Sequence, residues 1–236
     1  MKKFTTTVSA AALVALTAPA GMASSILLDD FSTFQQVVDV AQAPETNTST
    51  ESGVGDFGAD RKMTVITSGG GLEASTFTST GGSGFVPSNT LTLINGTGQA
   101  SDATLGYNFG GPVDLTMGGL NDKFFFEFPG GILSGDVTGS NFLTTVNSTS
   151  GSGTNTEALT PASSPFLSFS DADFASVDFE NVKSLAFTFE SVPSFDGSLN
   201  AISVVPLPAS ALLLLGGLGG FAGLSAANRR RGRKEA

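Results

Sequence analysis

Two short stretches of this chain alternate with a period of two, and that alternation leaves few folds open. In Phe124-Phe125-Phe126-Glu127-Phe128 it puts Phe124, Phe126 and Phe128 on one side and Phe125 and Glu127 on the other. In Leu185-Ala186-Phe187-Thr188-Phe189-Glu190 it sets Leu185, Phe187 and Phe189 against Ala186, Thr188 and Glu190. A helix, with its period of 3.6, would scatter both sets. Each stretch therefore reads as a strand with one apolar and one wetter face. Antiparallel sheets packed face to face need such strands, whereas those of a parallel sheet are apolar on both sides. Similar short runs separated by Gly, Ser, Asn and Asp recur from Ser24 to Val205, and helical periodicity is almost absent. The expected fold is all-β, a jelly-roll-like antiparallel β-sandwich.

The pattern predicts strands over Phe34 to Val40, Lys62 to Thr67, Leu72 to Thr78, Thr90 to Asn95, Ala103 to Phe109 and Val113 to Met117. Further strands are predicted over Lys123 to Phe128, Asp136 to Ser140, Phe142 to Asn147, Phe166 to Ser170, Lys183 to Glu190 and Leu199 to Val205. Two polar low-complexity stretches, Ala43 to Ala59 and Asn147 to Thr156, read as loops because their side chains bury too little to offset the entropy of ordering.

Composition removes whole classes of chemistry. The chain has no His, Cys or Trp. That excludes a Ser-His-Asp triad, a thiolate nucleophile, and zinc or copper on imidazole or sulfur. No disulfide can staple the fold, so burial must hold it. Phe is the main filler, with 18 residues between Ser24 and Val205. Over that span four basic residues (Arg61, Lys62, Lys123 and Lys183) stand against twenty acidic ones. Such a field repels nucleic acid, so no nucleic-acid partner is expected.

The remaining basic residues sit at the ends, and both ends read as addresses. Lys2 and Lys3 precede an apolar run from Val8 to Ala18 and then small residues, the pattern of a secretory signal peptide. Cleavage is expected after Ala23, with Ala20 as the alternative, so residues 1–23 are the signal. At the other end Ala209 to Asn228 carry no charge before Arg229, Arg230, Arg231, Arg233 and Lys234. Twenty helical residues reach about 30 Å, enough to cross a bilayer as a single helix. The basic cluster then acts as the stop-transfer signal and stays cytoplasmic, with the acidic domain outside.

Immediately before this span stands Val205-Pro206-Leu207-Pro208-Ala209. Two prolines at alternate positions keep the backbone extended and remove two N–H donors, so helix and sheet hide it poorly. The order of motif, apolar span and Arg run resembles the PEP-CTERM family of sorting signals, in its VPLPA variant, which membrane-embedded exosortases of Gram-negative bacteria recognise. The resemblance implies that Val205 to Ala209 are read by an exosortase-like enzyme and that the tail is removed at or near them. It also implies secretion machinery as a partner and a setting of exopolysaccharide or biofilm. More weakly, Leu28-Asp29-Asp30-Phe31, Asp60 to Val65, Asp114 to Asp122 and Leu199 to Ile202 are similar in order to many PEP-CTERM exported proteins, which are expected to be jelly-roll sandwiches. The organisation expected is a signal peptide (1–23), a β-sandwich (24–205) and a sorting tail (205–236). The precursor would be anchored in the inner membrane, and the product would reach the cell surface or extracellular matrix.

Two groups of acids are candidate sites. Asp29, Asp30, Asp196 and Asn200 fall at the first and last strands, where hard oxygen ligands would suit a structural Ca²⁺. The alternative is that the aspartates cap a strand and a turn. Asp171, Asp173, Asp178 and Glu180 read as a solvated Asp-rich turn, or as a second cation site or a glycosidase acid and base. With no Trp, one Tyr and Phe turned inward, a stacking platform for sugars is not expected. Two functions remain. One is a non-enzymatic structural or adhesive surface protein associated with extracellular polysaccharide. The other is a secreted carbohydrate-binding or carbohydrate-cleaving module.

Overall fold

The computed structural model describes residues 24–40, 47–69, 73–79, 89–128, 137–160 and 163–206. The signal segment 1–23, the uncharged span 209–228 and the basic cluster lie outside them. Along the chain run β1 (Ile26–Asp29), β2 (Gln35–Asp39), β3 (Asn47–Val54), β4 (Ala59–Gly69), β5 (Ser75–Ser79), β6 (Leu91–Asn95) and β7 (Gln99–Val113). They are followed by β8 (Asn121–Glu127), β9 (Asn141–Ser148), β10 (Ser152–Ala158), β11 (Phe166–Ser168), β12 (Val182–Glu190), β13 (Asp196–Leu199) and β14 (Ala201–Pro206). A single 3₁₀ turn, η1 (Ala172–Phe174), lies between β11 and β12.

One layer is a six-stranded sheet in the order β10-β9-β12-β7-β4-β3. Facing it are two four-stranded sheets, β13-β6-β5-β2 and β1-β14-β8-β11. Only Asn200 separates β13 from β14, so the last stretch of chain passes from one small sheet into the other. Among the described residues every strand pairing is antiparallel. The fold is the expected all-β antiparallel sandwich.

The period of two does what the sequence requires. Phe124 and Phe126 of β8 are buried, Phe128 packs against the core, and Leu185, Phe187 and Phe189 of β12 are buried. Their rings meet across the layers: Phe126 lies 5.0 Å from Phe142 of β9 and 5.4 Å from Phe187. Each buried large side chain contributes about 1.5–3 kcal/mol, and this stands in place of disulfides.

Several local expectations are corrected. The polar stretches read as loops hold all of β3 and most of β10, which form the edges of the six-stranded sheet. Their side chains bury little, but their backbones ladder onto β4 and β9, and their Thr residues suit a half-exposed strand. The glycines of β10 and its turn, which read as linker residues, are sites of close packing. A Cβ at Gly153 would fall 2.4 Å from the Asp173 carbonyl oxygen, and one at Gly151 would fall 2.7 Å from that of Ser176.

The strands expected at Ala103 to Phe109 and Val113 to Met117 are instead one long strand, β7, followed by a loop. The Gly110-Gly111-Pro112 break is absorbed as a bulge opposite β12, where the register jumps from Val182↔Val113 to Ser184↔Asn108. Over Asp136 to Ser140, the described residues 137–140 form a turn closed by the Ser140 N–H on the Val137 carbonyl. Of the expected sorting motif, Val205 and Pro206 close β14 rather than standing free of the sheet, opposite Lys123 and Asn121. A register slip between them accommodates the missing proline N–H. Leu207, Pro208 and Ala209 lie outside the described residues.

Candidate functional site

The first and last strands do meet, since β1 pairs with β14. The cation facing Asp29 there is a side chain of the protein itself. Asp29 Oδ2 accepts from Arg61 Nη1 and from the Tyr107 hydroxyl, each at 2.8 Å, and Oδ1 accepts from the Phe31 N–H at 2.8 Å. Arg61 is fully buried; its Nε donates to Gln35 Oε1 and its Nη2 to the Thr33 carbonyl, both at 2.8 Å. Burial first, and then the Asp29 charge, push the Tyr107 hydroxyl well above its ordinary pKa, so it remains a donor.

The other residues of the calcium reading are tied elsewhere. Asp30 accepts from the Ser32 N–H at 3.0 Å. Asp196 is exposed on β13, opposite Ile94 in a different sheet from β1. The Asn200 N–H donates to the Glu127 carbonyl at 2.7 Å. Among the described residues, no three acidic side chains are gathered to hold a metal.

The second acidic group serves local caps. Asp171 accepts from the Asp173 N–H at the start of η1, and Asp178 accepts from the Glu180 N–H and from Asn181 Nδ2. Asp173 accepts from Asn155 Nδ2 of β10 at 3.1 Å, which helps bind η1 to that edge strand.

Among the described residues, one feature with room for a ligand lies on the outward face of the six-stranded sheet. Register aligns side chains from neighbouring strands in rows across it. One row runs Asp60, Asn108, Ser184, Asn147; the next runs Thr50, Lys62, Gly106, Ala186, Thr145; a third runs Thr64, Thr104, Thr188, Leu143. The middle row is small at its centre, because Gly106 has no side chain and Ala186 only a methyl. The result is a trough of about 380 Å³, open to solvent and lined by Thr50, Asp60, Lys62, Gly106, Asn108 and Ser184. Tyr107 and Leu185 point inward and contribute backbone to it.

Packing does not demand this glycine. Its nearest neighbours to an added Cβ would be the carbonyl oxygens of Lys62 at 3.7 Å and Leu185 at 4.0 Å, which is ordinary contact. The walls are pre-set by side-chain hydrogen bonds: Thr104 to Thr188 at 2.9 Å, and Asn147 to Ser184 at 3.1 Å. Farther along the same face Asp102 and Glu190 stand directly opposite each other. Burial first, and then the Glu190 charge, raise the Asp102 pKa above its usual value.

Sequence reasoning missed the trough because a row across strands exists only once the register is known. The available signal was two small residues, Gly106 and Ala186, at outward positions of strands. Two phenylalanines also depart from the inward expectation: Phe34 is 53% exposed, and Phe166 is 47% exposed with its ring 5.0 Å from that of Phe125 on the outer face of the other layer.

Fold and trough together define an all-β antiparallel sandwich with a polar trough across one sheet. No family model matches the chain, and no curated protein matches it. Among solved structures, CtCBM11, described by its solution structure, dynamics and binding, is similar with a TM-score of 0.34 and 16% identity, covering 80% of this chain and 99% of that one. PfGH50B is similar with a TM-score of 0.31 and 12% identity, covering 51% of this chain and 20% of its own. This chain thus spans about a fifth of PfGH50B, and at such scores neither likeness adds to what the sheets show.

Proposed function

We propose that this is an exported, non-catalytic surface protein whose sandwich holds a chain of extracellular polysaccharide along the trough, and whose tail is a sorting signal read by an exosortase-like enzyme. The observation that carries the binding reading is the trough itself, with its open floor at Gly106. Asn108, Ser184, Thr50, Lys62 and Asp60 supply donors and acceptors of the kind that pair with sugar hydroxyls at a ring edge. No aromatic ring lines the trough, so each contact is a hydrogen bond exchanged with water and binding is weak per site. A surface protein displayed in many copies on a long polymer gains by avidity. Asp60 is the only carboxylate among the lining residues, whereas glycoside hydrolysis uses two, about 5–9.5 Å apart. The sorting half rests on the order of motif, uncharged span and Arg cluster in the sequence.

The test uses residues 24–206, because the buried apolar core among the described residues runs from Ile26 to Val204. Electrophoresis through gels containing neutral polysaccharides should show retardation of this fragment. Gly106→Val should abolish the retardation without lowering the melting temperature, since the added side chain fills the trough and suits a strand. Equal retardation of both proteins would discard the trough as the site. Release of reducing ends, lost on Glu190→Gln, would replace the binding reading with a hydrolytic one centred on Asp102 and Glu190.

A further inference from the structure

We propose that the loop 114–120 is a membrane-contacting foot, in which Met117 and Leu120 enter the headgroup region of the bilayer while the chain is still tethered by its tail. The inference rests on the reading of Ala209 to Asn228 as a membrane span, and it adds a lipid-binding surface on the folded domain. The last described residue, Pro206, ends β14 and pairs with Asn121, the first residue of β8. Three residues later the uncharged span begins, and three extended residues reach at most about 10 Å. The end of the sandwich that carries Pro206 is therefore held against the bilayer surface.

The loop that enters β8 at Asn121 lies at that same end. It exposes two large apolar side chains, Met117 at 44% and Leu120 at 42%. It is also built to hold them there. Leu115 is fully buried, and its N–H bonds the Phe179 carbonyl. Asp114 accepts from the Thr116 N–H and hydroxyl and from the Gly118 N–H, and the Asn121 N–H closes onto the Thr116 carbonyl at 2.8 Å. Met117, Gly118 and Gly119 all have positive φ, which folds the backbone back and leaves the Met117 and Leu120 side chains in solvent. In water two exposed apolar side chains on an ordered loop gain nothing; at a bilayer they bury area worth about 25 cal/mol per Å².

The foot itself carries acidic charge, with Asp178 and Glu180 flanking the Phe179 carbonyl that holds Leu115. The Asp114 oxygens are taken up within the loop, and Asp122 faces Lys123 at 3.5 Å. The rest of the domain is strongly acidic, so the lipid surface it fits is zwitterionic rather than anionic.

The absence of native cysteine makes the test direct. Full-length Met117→Cys and Leu120→Cys variants, and a Thr97→Cys control in the turn at the other end of β7, would each carry one environment-sensitive fluorophore. Each would be reconstituted into phosphatidylcholine vesicles with spin-labelled phosphatidylcholine as quencher. Flotation with the vesicles reports the tail, and quenching reports the foot. The expected result is flotation of all three, with blue-shifted and quenched emission at 117 and 120 and unquenched emission at 97. Flotation with 117 and 120 as unquenched as 97 overturns the foot and leaves the span intact. Loss of flotation removes the span, and with it the tether on which the foot depends.

Discussion

At the scale of single residues, the buried ion pair carries the largest consequence. Arg61 is fully buried and Asp29 is 2% exposed, so the pair has little solvent to fall back on. Arg61→Ala would leave the buried Asp29 carboxylate without its counter-charge, held only by the Tyr107 hydroxyl and the Phe31 N–H, with Gln35 and Ser79 losing their donor. Breaking a buried pair from one side costs about 3–5 kcal/mol, and urea unfolding of the variant should show a loss of that order. A loss below about 1 kcal/mol would mean that the pair does not hold β1 to β4. Asp102 works in the opposite sense. Its folded pKa is raised by burial and by Glu190, so the ionised form is disfavoured in the fold and costs stability at neutral pH. That cost disappears as pH falls through the raised pKa, above the ordinary 3.8. Asp102→Asn should therefore raise the melting temperature at pH 7 and leave it unchanged near pH 3. Asp30 and Asp114 behave conversely: burial pushes each up, but hydrogen bonds outweigh it and hold each below its usual value. The stability they add is lost only as the pH falls below about 4.

At the scale of elements, the two edge strands show where sequence pattern and structure part. β3 and β10 are polar on both faces, so no hydrophobic alternation announces them. They are strands because a neighbour offers a complete ladder of backbone partners, and their polarity discourages pairing with another molecule. η1 packs on β10 at Gly153, and any side chain there meets the Asp173 carbonyl and the Phe174 ring. Gly153→Ala should cost about 1–3 kcal/mol by forcing η1 away, even though alanine is the better residue in a free strand. Unchanged urea unfolding would show that η1 shifts freely and is not seated on the edge. The Asp114 loop is a related case. The pattern predicts a strand over Val113 to Met117, but β7 ends at Val113, where the Asp114 side chain draws the Thr116 and Gly118 N–H groups into a turn.

At the scale of the whole molecule, the fold class was legible and the site was not. Phe124, Phe126, Leu185, Phe187 and Phe189 declared their buried faces by period alone, because burying one face of a strand is a local requirement written at every second residue. The missing cysteines likewise declared that burial must hold the domain. The partner of Asp29 lay 32 positions away, and a carboxylate at the end of a strand reads the same whether a calcium ion, a backbone N–H or an arginine faces it. Only packing of β4 over β1 chose Arg61. The trough was hidden for the same reason: Gly106, Lys62, Asn108 and Ser184 come from three strands, and their alignment is set by register, a property of the assembled sheet. The sequence by itself determined which residues turn inward, since solvent acts on each strand separately. The tertiary structure decided which outward residues become neighbours, since only pairing between distant segments brings them together.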